Sequence, residues 1–105
     1  MFVTISARHC RAPASVRERA MVRLERLRRI APGTIGAEID LSVERGVHRV
    51  EARILLAGAP PIRASGTGTD FRSALDGALN RVRRQITERK ARRRGRAGAR
   101  DLVRV

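Results

Sequence analysis

The chain has 105 residues, 42% of them hydrophobic, and a formal net charge of +14 from 24 basic and 10 acidic residues. That length suits one domain, and that apolar content is enough for one small core and argues against a wholly disordered basic chain. With two phenylalanines, no tyrosine and no tryptophan, the core must be aliphatic, and base stacking on exposed rings is excluded as the main route to nucleic acid.

Phe2 to Arg8 alternates Val3, Ile5 and Ala7 with Thr4, Ser6 and Arg8, the period of a strand. Pro13, with Ser15 close behind, suits the start of a helix. Over Ala14 to Ile30 the residues Val16, Ala20, Leu24, Leu27 and Ile30 mark one helical face, which Met21 widens. The opposite side carries six arginines with Glu18 and Glu25 between them, and Arg17, Arg19 and Arg28 are expected to pair with those acids locally. Ala31-Pro32-Gly33 ends the helix.

Ile35 to Glu44 alternates again, with Ile35, Ala37, Ile39, Leu41 and Val43 expected on one side. Arg45-Gly46 makes a tight turn, and His48 to Leu56 returns with Val50, Ala52, Ile54 and Leu56 inward, a hairpin in which Glu38 or Asp40 meets Arg49 or Arg53. Ala57 to Pro61 reads as a turn, and Ile62 to Gly68 as a weaker fourth strand whose glycines suggest an edge or a closely approached backbone. Thr69-Asp70 caps a second helix with Phe71, Leu75, Ala78, Val82 and Ile86 on its apolar stripe, expected to end at Gly95 or Gly98. The order β-α-β-β-β-α predicts an α+β domain: a four-stranded mixed sheet with two helices packed on one face.

Enzymatic chemistry finds little material. His9, Cys10 and His48 have no metal-ligand spacing, His9 beside Cys10 lacks an orienting acid, and no GxxxxGK[ST] loop is present. The chain is therefore expected to be no enzyme, with no cofactor, no metal and no small-molecule substrate. The single cysteine excludes an internal disulfide. No apolar run reaches the roughly 18 residues needed to span a bilayer, so no membrane partner is expected. The opening MFVTISARHCRAP has no secretory pattern, and the expected compartment is the cytoplasm.

The dominant feature is charge. From Arg81 to Arg100 there are ten basic residues and one acid, Glu88, which supplies +9 of the chain's +14. Because this run continues a helical apolar stripe, the charge is expected on a folded surface, and a rigid cationic face implies a polyanion, RNA first. The candidate RNA-binding residues are Arg23, Arg26 and Arg29 on the first helix and Arg81, Arg84, Lys90, Arg92 and Arg93 on the second. Arg81, Arg84 and Lys90 are expected together on the side opposite Val82 and Ile86.

Several stretches resemble the ribosome hibernation promoting factor family, which includes the ribosome-associated inhibitor. They are Val3-Thr4-Ile5; Ala14 to Glu18 with Leu24 to Leu27; Leu41 to Glu44 with His48 to Ala52; and Ala64-Ser65-Gly66 with Asp70, Ala74, Leu75 and Asp76, leading into Arg81-Val82 and Arg84-Gln85-Ile86. The likeness spans residues 1 to about 92 and rests on the shared order and spacing of these segments. It departs from the family where Arg72 follows Phe71 and where Glu88 stands among positions that are commonly basic. The resemblance implies a factor that binds the small ribosomal subunit and its rRNA between head and body, over the decoding channel, and blocks messenger and transfer RNA during starvation or stress. It further implies the short form without the C-terminal domain that pairs ribosomes; with the helix ending at Gly95 or Gly98, the expected division is a ribosome-binding domain over 1–94 and a flexible basic tail over 95–105. The runner-up is a general double-stranded RNA-binding protein or RNA chaperone, whose fold order is related. A third reading is a regulatory partner of an acidic protein.

Overall fold

The computed structural model describes the backbone of residues 1–104 and the side chains of residues 1–92. Its elements are β1 (Phe2–Arg8), α1 (Ala14–Ile30), β2 (Thr34–Glu44), β3 (Val47–Leu56), β4 (Ala59–Gly68) and α2 (Phe71–Arg104). The sheet order is β1-β2-β3-β4. β1 pairs parallel to β2 across the α1 crossover, and the other two pairings are antiparallel. Both helices lie on one face of this mixed sheet, the α+β arrangement that the alternating and helical periods dictate.

One aliphatic core joins the two layers. Val16, Ala20, Leu24 and Leu27 from α1 and Leu75, Ala78, Leu79, Val82 and Ile86 from α2 meet Ala37, Ile39, Leu41, Val50, Ala52, Ile54 and Ile62 from the sheet. The bounds of β1 and α1 are those read from the sequence. α1 has Pro13 at its cap, whose carbonyl accepts from the amides of Val16 and Arg17 at 3.1 Å. α2 starts where Asp70 Oδ1 accepts the Ser73 amide at 2.7 Å, and that hydrogen bond holds the Asp70 carboxyl below its usual range.

The sheet corrects two local expectations. Ile35 points outward and is 51% exposed, whereas Thr34 and Gly36 are buried. A register shift between Thr34 and Gly36 reverses the alternation at this end of β2, as a bulge does. β4 begins at Ala59, so the turn is only Ala57-Gly58, with Gly58 at a φ of 68°. Pro60 and Pro61 fall inside the strand, and an edge strand is where a sheet accepts prolines.

Gly66 explains how α2 gets so close to β4. A Cβ there would run into the Ala74 carbonyl and the Ala78 amide of α2, so only glycine fits. The expectation of a closely approached backbone holds at this residue.

α2 passes through Gly95 and Gly98 to Arg104 instead of ending at either glycine. A glycine inside a helix costs roughly 1 kcal/mol relative to alanine, and the arginines and alanines around these two are among the strongest helix formers. The flexible tail expected over 95–105 and the contacts of Arg93 concern side chains outside the described residues.

Candidate nucleic-acid interface

α1 and α2 lie side by side, leaving a groove of about 670 Å³ lined by Glu18, Arg19, Arg23, Arg26 and Arg29 from α1 and by Asn80 and Arg83 from α2. The α1 arginines reach it because Arg19, Arg23 and Arg26 recur at the spacing of one helical stripe, beside the buried stripe of Ala20, Leu24 and Leu27.

Two of these arginines are tied down. Arg19 donates through Nε and Nη2 to the two carboxylate oxygens of Asp76 at 2.8 and 2.7 Å. Arg23 donates through Nη1 to Asp76 Oδ1 at 2.9 Å and through Nη2 to Asn80 Oδ1 at 2.7 Å. The hydrogen bonds from Arg19 hold the Asp76 carboxyl below its ordinary range, against the opposing effect of partial burial, and the charges of Arg19, Arg23 and Arg72 act in the same lowering direction. Arg19 thus pairs across the helices, not with Glu18 or Glu25 as its position in the sequence suggests. Arg28 does pair locally, with Glu25 at 2.7 Å.

The other sequence-predicted residues divide. Arg26 and Arg29 are exposed on the α1 wall of the groove, and Arg84 is exposed on the outer side of α2. Arg81, one turn before Arg84, is turned toward the sheet edge: its Nη1 donates to the Ser65 carbonyl at 2.6 Å. Gln85 donates to the Arg63 carbonyl at 2.8 Å and Arg89 to the Pro60 carbonyl at 2.9 Å. One flank of α2 therefore covers the free edge of β4 with a row of side-chain donors, which shields that edge from pairing with another strand. Lys90 sits on the other flank, in a small recess with Ala31, Leu56 and Ile86. At about 100° per residue, nine residues of helix place Arg81 and Lys90 on opposite flanks, so the three cations expected together do not form one row. Arg92 is exposed further along α2. Arg83, outside the candidate set read from the sequence, lines the groove.

The open face of the sheet is of a different kind. Glu38, Asp40 and Glu51 alternate there with Arg49, Arg53 and Arg63. Arg49 reaches Glu51 at 3.0 Å, and Arg53 lies 4.0 Å from Glu38, its partner across the strands. The cross-strand pair expected between Glu38 and Arg53 is present, while Arg49 turns to its own strand.

Among the described residues, no group of three or more His, Cys, Asp or Glu side chains is arranged to hold a metal ion, and no helix is long and apolar enough to cross a membrane. Cys10 is half-buried, with its Sγ 3.8 Å from the Leu41 carbonyl.

The arrangement presents fixed guanidinium groups on a groove between two helices. Comparison with known proteins gives the family and the fold. The family model described as sigma 54 modulation protein / S30EA ribosomal protein matches residues 3–94. Among solved structures, a ribosomal subunit interface protein from Coxiella burnetii superposes with a TM-score of 0.79 at 19% identity, covering 87% of this chain and 99% of that one. The N-terminal domain of Protein Y from Thermus thermophilus superposes with a TM-score of 0.75 at 25% identity, covering 84% of this chain and 98% of that one. No curated protein matches the sequence.

Proposed function

Because the chain belongs to the sigma 54 modulation protein / S30EA ribosomal protein family, a family of ribosome-associated proteins, we propose that it is a hibernation factor of the small ribosomal subunit. It binds ribosomal RNA through the helical face, sits over the decoding channel and excludes messenger and transfer RNA. It acts in the cytoplasm, on ribosomes left idle by starvation or stress. The observation that carries this reading is the groove between α1 and α2, where Arg26, Arg29 and Arg83 are presented beside the clamped Arg19 and Arg23.

The physical mechanism is occlusion, and no bond is made or broken. Arginine forks grip phosphate oxygens bidentately, which lysine cannot do. Each neutralised phosphate releases condensed counterions, so with about six to ten contacts the affinity falls by roughly 10³–10⁵ between about 50 and 200 mM salt in the duplex reference case. With few aromatic side chains for stacking, specificity comes from the shape of folded RNA.

Sucrose-gradient co-sedimentation with separated small and large subunits, alongside a free RNA duplex, tests the reading. The protein is expected to travel with the small subunit, to be displaced by added salt, and to bind the duplex more weakly. Equal affinity for duplex and subunit would instead support the general double-stranded RNA binder, and complexes that survive nuclease would support an acidic protein partner.

A further inference from the structure

Asp76 is an acid placed among cations at a site where a polyanion is to bind. On charge alone it is a defect: it repels phosphate and cancels part of the field of the groove. Its geometry says otherwise. One carboxylate on α2 accepts three hydrogen bonds from two guanidinium groups on α1, and Asn80, one turn further along α2, accepts the second Nη of Arg23. The side chains of Arg19 and Arg23 are 35% and 18% exposed and that of Asp76 is 27% exposed, so this contact is partly withdrawn from solvent beside the groove that the two arginines line.

Arginine side chains one turn apart on a helix repel each other and carry large rotamer freedom. A carboxylate between them removes the repulsion and selects one rotamer for each. A guanidinium has five N–H donors. Arg19 gives Asp76 its Nε and Nη2 edge, which leaves the Nη1 edge turned away from the carboxylate. Arg23 keeps its Nε–H and the second hydrogens of both Nη atoms. The wall above these donors carries Arg26 and Arg83.

We propose that Asp76 is a positioning residue for phosphate: it fixes Arg19 and Arg23 on the lining of the interhelical groove, so that their unused N–H groups act together with Arg26 and Arg83 on the RNA backbone. This inference rests on the RNA-binding reading above and names the residue that organises the site. It has an unusual signature. Asp76→Asn raises the net charge by one unit, yet it weakens binding to a polyanion, because preorganisation is lost.

The test measures the affinity of labelled wild-type protein, Asp76→Asn and Arg23→Lys for isolated small ribosomal subunits and for a short RNA duplex over a series of salt concentrations, with thermal unfolding followed by circular dichroism. Asp76→Asn is expected to fold and to bind small subunits roughly tenfold more weakly, with a salt slope shallower by about 1 to 2 as one or two phosphate contacts are lost. A merely structural role would lower the melting temperature and leave that slope unchanged. Arg23→Lys keeps the charge but cannot bridge Asp76 and Asn80 with one planar fork, and it is expected to weaken binding similarly; it decides the matter if Asp76→Asn does not fold. Binding by Asp76→Asn that equals or exceeds wild type overturns the inference. If the wild-type protein binds the duplex but not the small subunit, the ribosomal reading falls on its own, and the same comparison on the duplex still upholds or overturns the role of Asp76.

Discussion

The helical face and the open face of the sheet both carry several arginines, but they dispose of the charge differently. On the sheet, Arg49, Arg53 and Arg63 are interleaved with Glu38, Asp40 and Glu51, and pairs form at 3.0 and 4.0 Å. On the helices, among the described residues, Arg26, Arg29, Arg83 and Arg84 enter no ion pair. A net charge of +14 on 105 residues therefore does not describe a uniformly sticky surface. Among the described residues, the sheet face sets its arginines among acids, while the helical face leaves four of its arginines outside any ion pair.

Both faces hang on one core, and removing part of it should affect them together. Leu24 is 1% exposed where α1 meets the sheet, and Leu24→Ala is expected to cost roughly 2–5 kcal/mol in urea unfolding. A loss well below that would mean α1 is not anchored as described.

Charge reversal separates the faces. Arg26→Glu with Arg83→Glu on the groove is expected to weaken binding to small subunits by roughly 100-fold, as phosphate contacts are lost and repulsion is added. Lowering pH probes the contact beneath those residues. The folded Asp76 carboxyl sits below its ordinary value, so the unfolded chain takes up its proton first as pH falls. The stability this group contributes is present above the ordinary carboxyl range, near about pH 4, and is lost as pH drops through the folded value. Asp76→Asn should flatten the acid side of the stability profile measured by urea unfolding, leaving the slope that Asp70, also held below its ordinary range, contributes. The smallest effect belongs to the sheet: Arg49→Glu with Arg53→Glu changes net charge as much as the groove pair does, yet binding is expected to stay within about threefold. Equal losses for the two double variants would reduce the account to net charge.

Much of this molecule was readable from its residues. Val16, Ala20, Leu24 and Leu27 set one helical face, and Ala37, Ile39, Leu41, Val50, Ala52 and Ile54 set one sheet face, because burial follows the 3.6 and 2.0 periods. Ile35 was misread because a bulge breaks the period without any mark in composition. The start of β4 was misread because Pro60 and Pro61 look like a turn until the strand is known to be an edge.

For the site, periodicity tells which way a side chain leaves its own helix but not what it meets. Arg19 was assigned to neighbours in sequence, although its true partner is Asp76. Arg81 was grouped with Arg84 and Lys90, although it reaches the carbonyl of Ser65. A signal for the groove was available in the stripe of Arg19, Arg23 and Arg26, and a helical projection of residues 81 to 90 would have divided the cations of α2 correctly.

The central claim is that the helices, not the open sheet, face ribosomal RNA. A photoreactive side chain at Val22, 54% exposed on the rim of the groove, or at Glu51 on the open sheet, tests it directly in complexes with small subunits. The account predicts cross-links to small-subunit RNA from position 22 and few or none from position 51. RNA cross-links from position 51 with none from position 22 would contradict it.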